Sequence, residues 1–128
     1  MKSGVAAGAI AGFVGGIVSD IVGVIAINAG LLEMQSANIA YSAVIGIVFT
    51  IMFGAIFGAI YSRFHDQIPG IGVSKGLFFG LMIYLIKDIA AGAYIGFVGG
   101  MHPAAIWLQS GFFIWITYGP LLGALYKK

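Results

Sequence analysis

Four apolar runs, each long enough to cross a bilayer and parted by short polar breaks, constrain this chain more than any other feature. They cover residues 4–32, 38–62, 72–100 and 104–126. A helix needs about 20 apolar residues to span a hydrocarbon core. The runs are continuous and lack the alternation of a membrane barrel, so helices are the way left to satisfy their backbone groups in lipid. The chain is 61% hydrophobic and 8% charged, with a mean hydropathy of +1.08; ordinary soluble domains carry about 25% charge. The expected fold is an all-α integral membrane protein of four transmembrane helices, a single domain over residues 1–128 with the lipid bilayer as its first partner.

Orientation follows from the basic residues. Lys2, Arg63, Lys75, Lys127 and Lys128 fall on one side of a four-span model, and the two opposite connections hold no Lys or Arg. By the positive-inside rule the protein is a multi-pass protein of the cell membrane with both termini and the central loop cytoplasmic. Tyr61, Phe64 and Tyr126 would mark the inner interface, and Tyr41, Tyr94 and Trp107 the outer one. The first run reads as a span and not as a cleavable signal, since its apolar stretch is too long and Asp20 interrupts it.

The two halves of the chain resemble each other. GAIAGFVGGIVSDI (8–21) aligns with GLFFGLMIYLIKDI (76–89), matching Gly8 to Gly76, Gly12 to Gly80 and Asp20 to Asp88. FGAIFGAIYSR (53–63) aligns with YGPLLGALYKK (118–128), matching Gly54 to Gly119, Gly58 to Gly123 and Tyr61 to Tyr126. Matches in order at nearly one offset point to tandem duplication of a two-helix hairpin, with halves of about 1–66 and 67–128. Two spans per unit insert both halves the same way up, which places a pseudo-two-fold axis along the membrane normal.

Glycines recur every four residues, as a glycine zipper requires. Helix 1 carries Gly4, Gly8, Gly12 and Gly16, with Asp20 next in the row, and helix 3 carries Gly72, Gly76, Gly80, Tyr84, Asp88, Gly92 and Gly96. Gly54 and Gly58, then Gly111, Trp115, Gly119 and Gly123, continue the pattern in helices 2 and 4. Residues four apart share a helix face, and small ones let helices approach closely in lipid. Gly8, Gly12, Gly16, Gly54, Gly58, Gly76, Gly80, Gly92, Gly96, Gly119 and Gly123 are therefore the expected packing residues.

The same rows carry the intramembrane charges. Asp20 lies about 24 Å along its helix from Gly4, and Asp88 about 24 Å from Gly72, at 1.5 Å per residue. The aspartates should share one depth in the outer half, with Lys87 beside them and Ser19, Ser42, Gln109 and Ser110 nearby. A charge inside a span costs about 2.5–3.5 kcal/mol on insertion scales and marks a functional site by default. The expectation is one cluster in which Lys87 bridges Asp20 and Asp88, with Ser19, Ser42 and Gln109 completing an ion or solute site. An ion pair that merely locks the two halves together uses the same residues.

Other chemistry is thin. There is no cysteine, the basic residues form no nucleic-acid patch, and His65 and His102 lie on opposite sides, so no metal, cofactor or nucleic acid is expected. Ser62, His65 and Asp66 share a loop without an oxyanion site, and enzymatic activity is not expected. The stretches FGAIFGAIYSRF, SKGLFFGLMIYLIKD and YGPLLGALY resemble the uncharacterised YagU-like inner-membrane proteins. That resemblance covers roughly half of the chain and implies no activity. Two functions stay open: a channel or secondary transporter for a cation or small polar solute, acting as a homo-oligomer, or a non-catalytic accessory subunit of a larger membrane complex.

Overall fold

The computed structural model describes residues 1–31 and 39–128, without the side chain of Ile39. Its elements are α1 (Gly4–Asn28), α2 (Ile39–Arg63), α3 (Gly72–Ile83), a π-helical turn (Tyr84–Ile89), α4 (Ala90–Gly99) and α5 (Met101–Leu125). α3, the π turn and α4 run on as a third span, Gly72–Gly99, so four helices are long and apolar enough to cross a membrane. No strand occurs among the described residues. The connection expected at Glu33 to Asn38, with the start of helix 2 at residue 38, lies outside the described residues.

Local chemistry sets the helix ends. The Ser3 hydroxyl accepts from the Ala6 N–H at 3.2 Å and caps the start of α1. α1 ends at Asn28, ahead of the expected residue 32. Gly30, at φ +74°, takes the left-handed position that closes a helix. The Leu31 N–H then reaches the Ala26 carbonyl at 2.9 Å and the Gly30 N–H reaches that of Ile27 at 3.0 Å. The break expected at Met101, His102 and Pro103 is instead Gly100 alone, at φ +95°. Those three residues form the first turn of α5, where a proline sacrifices no helical hydrogen bond.

Backbone contact at glycine builds two hairpins. α1 packs along α2, and α3 along α5. A Cβ on Gly8, Gly54 or Gly58 would strike a carbonyl of the facing helix, as would one on Gly76, Gly119 or Gly123. Gly12 sits in the same way on the Thr50 carbonyl and Gly80 on that of Trp115, while Gly16 is closed by the Thr50 hydroxyl. Such contacts suit lipid, where helices associate through close packing.

The hairpins join on one side. α1 packs on α5 through Ala7, Ala11 and Gly15, whereas among the described residues no comparable contact joins α2 to the third span. α1 and α5 therefore form the middle of the molecule, and α2 and the third span flank a gap over α5. A hydrogen bond reaches from α5 to α2, from the Tyr118 hydroxyl to the Gly54 carbonyl at 2.8 Å.

The end that carries the termini is closed. Tyr61, expected at an interface, is fully buried, and Tyr126 is nearly so. Tyr61 stands edge-on to Phe79, His65 and Tyr126 at 5.2, 5.4 and 5.7 Å between centroids. Lys75, expected among the solvated basic residues, is 8% exposed because its ammonium donates to the His65 carbonyl at 2.7 Å. Outside the spans, Lys128 pairs with Asp66, and this ammonium and then His65 hold the Asp66 carboxyl below its ordinary range.

Candidate functional site

The gap between α2 and the third span is a groove of about 440 Å³. α2 contributes Gly46, Phe49, Thr50 and Phe53, the π turn Lys87 and Asp88, and α5 a floor of Trp107, Ser110, Gly111, Ile114 and Trp115. Its opening is the region where the hairpins do not meet.

The π turn sets the site's shape. Tyr84 stands in the four-residue row at the position where helix 1 has Gly16. Its ring lies edge-on to Phe112 at 5.7 Å and its hydroxyl donates to the Leu108 carbonyl at 3.0 Å. A π turn accommodates one extra residue and often marks a functional position. Here it carries Lys87 and Asp88, the two charged residues of the third span beyond its first turn. Asp88 is 1% exposed and rests against Gly111, where any Cβ would collide with its carboxylate. Trp107, Gly111 and Trp115 are four residues apart on one face of α5, so the glycine forms a notch between two indoles.

Lys87 spans the groove. Its ammonium lies 2.6 Å from Asp88 Oδ1 and 5.8, 5.4 and 5.3 Å from the ring centroids of Phe53, Trp107 and Trp115. Three rings and one carboxylate thus converge on a single cation. Left unpaired, the two charges would cost on the order of 6 kcal/mol within a membrane. Pairing removes the larger part, and each cation–π contact adds about 0.5–2 kcal/mol, depending on desolvation. Asp88 Oδ2 remains buried with no hydrogen-bond partner. The Lys87 side chain is one-third exposed, at 33%.

The expected three-residue cluster does not form. Among the described residues the acid–base pairs are Lys87–Asp88, Lys128–Asp66 and His65–Asp66, and Asp20 enters none. Gly4, Gly8, Gly12 and Gly16, the row that Asp20 continues, face α2, while Asp88 rests against Gly111 of α5. Asp20 is half-buried, and its Oδ2 has no hydrogen-bond partner. Ser19 donates to the Ser110 carbonyl at 3.4 Å, tying α1 to the groove floor. Ser42 is exposed and Gln109 half-buried, and neither lines the groove.

Sequence reasoning missed Phe53, Trp107, Trp115 and Gly111 as groove residues. The Trp–Gly–Trp spacing on one helix face was the available signal. Phe53 had none, because its approach to Lys87 depends on how the hairpins lie together. Trp107, expected as an interface marker, also lines the floor of the site, facing Lys87. No family model, no curated protein and no solved structure matches this chain.

Proposed function

We propose that this protein is a small secondary transporter for a cation or small polar solute, with the groove at the π turn as its binding site. The observation that carries the reading is a nearly fully buried carboxylate, Asp88, facing an apolar groove with one oxygen paired and the other unpartnered. An intramembrane carboxylate is costly and marks a solute or proton path by default. A carrier is favoured over an open channel by the close packing at the termini end, where glycine-to-backbone contacts and the ring cluster at Tyr61 join the helices. The termini are cytoplasmic in this reading, on the charge bias of the loops, and the two hairpins are duplicated units. Supporting duplication, Gly8 meets Gly54 as Gly76 meets Gly119, and Gly58 meets Gly4 as Gly123 meets Gly72.

A second reading, an accessory subunit in a larger complex, draws on a shallow apolar groove along Gly92, Ala93, Gly96 and Ala104. Gly92 and Gly96 already seat α4 on α5 there, and the exposed Phe97 and Met101 beside them would meet a partner helix from a second copy or another subunit. Purified protein in liposomes separates the two. Solute-dependent flux lost in Asp88→Asn supports the carrier; no flux of any monovalent cation or small polar solute refutes it. Lys2→Cys and His102→Cys should label from opposite faces, and same-side labelling would refute the four-span orientation.

A further inference from the structure

We propose that the groove binds a monovalent organic ammonium ion, and that Lys87 is a tethered ligand of its own site, seated there until a solute ammonium displaces it. The proposal rests on reading the groove as a solute site and names the solute's class.

The walls select that class. Three aromatic faces within 6 Å of one point form the arrangement that stabilises a weakly hydrated cation. A hard metal ion requires several oxygen ligands. The groove offers one carboxylate, and no group of three or more acidic, histidine or cysteine side chains occurs among the described residues. One carboxylate balances one positive charge, so the ligand is monovalent. The volume of about 440 Å³ lies in the range of small-molecule sites.

The present occupant is displaceable. Lys87 holds Asp88 through Oδ1 alone, and its side chain is one-third exposed on a flexible stem. Asp88 has little such freedom, wedged against Gly111 within the seam. Lys87 and the solute therefore compete for the same carboxylate and rings, so an empty carrier keeps its intramembrane carboxylate neutralised. A tethered ligand acts at an effective concentration in the millimolar range, which sets the threshold a solute must exceed.

Trp107 and Trp115 are the protein's two tryptophans, so indole emission reports on the groove alone. The test titrates the full-length protein in detergent micelles with tetraethylammonium chloride, using sodium chloride to hold ionic strength. The wild type should show a saturable change in emission, Lys87→Ala the same change at about ten-fold lower concentration, and Asp88→Asn none. Non-saturable responses in both wild type and Lys87→Ala overturn the proposal, as does a Lys87→Ala affinity no tighter than wild type. If Lys87→Ala does not fold, the wild type and Asp88→Asn decide: a saturable response in the first alone supports the proposal, and the same response in both, or in neither, overturns it. Flux of another solute without ammonium binding would overturn this inference and leave the transport reading standing. Ammonium binding with no flux of any solute would do the reverse.

Discussion

Replacing Lys87 with methionine keeps most of the side chain's bulk and removes its charge. In the native protein Asp88 has one partner, the Lys87 ammonium at 2.6 Å, and its other oxygen is already buried and unpartnered. Lys87→Met therefore leaves the whole carboxylate without a counter-charge at a site with 2% side-chain exposure. Breaking one side of a buried pair costs about 3–5 kcal/mol. The expected loss is about 3 kcal/mol, a large share of a stability of about 5–15 kcal/mol. Asp88→Asn should cost about 1 kcal/mol, since the ammonium keeps its three rings and its partial exposure. Lys87→Met with Asp88→Asn should return to within about 1 kcal/mol of wild type, because the uncompensated charge is gone. Adding Asp20→Asn should contribute independently, within about 0.5 kcal/mol of additivity, as expected of residues that share no partner. Reversible unfolding of micelle-embedded protein, followed by circular dichroism, measures all of these. A Lys87→Met loss under about 1 kcal/mol, or a double variant no more stable than Lys87→Met, would refute the reasoning.

Three further outcomes follow from the packing. Tyr118→Phe removes the hydrogen bond to the Gly54 carbonyl and should cost about 0.5–1.5 kcal/mol in the same unfolding assay. Gly76→Val places a side chain against the Gly119 carbonyl and should cost about 1–3 kcal/mol or prevent hairpin closure. Gly23→Ala, where nothing lies within 4 Å, should stabilise α1 by roughly 0.5–1 kcal/mol. Because Asp66 is held below its ordinary range in the folded protein, its pairing with Lys128 contributes fully above about pH 4, the ordinary aspartate value, and is lost as acid takes the carboxylate through its lowered folded value. Tail mobility near Lys128, followed by NMR on acidification, should rise only in that acidic range; a rise near neutrality would contradict the assignment.

Secondary structure was legible because the four runs are long and apolar enough to cross a bilayer. A run such as 4–28, almost free of charge, has no way to satisfy its backbone in a bilayer except as a helix, whatever its neighbours do. The glycine spacing likewise carried the packing faces, since a helix face is a local property of periodicity, while the register that sets Gly8 against Gly54 and Gly76 against Gly119 came from the tertiary structure. Lys87 and Asp88 stood out as the charges a membrane would penalise. What the sequence alone did not carry was which seam each aspartate enters. Asp20 continues a glycine row that faces α2, while Asp88, on a π turn that shifts helical phase, rests in the Gly111 notch of α5. The one-sided docking of α1 on α5 was equally invisible, because it depends on how two finished hairpins fit. That docking opens the groove and brings Phe53, Trp107 and Trp115 around one ammonium. Periodicity fixes what lies along a helix face, but only the packing of whole helices decides what lies across it.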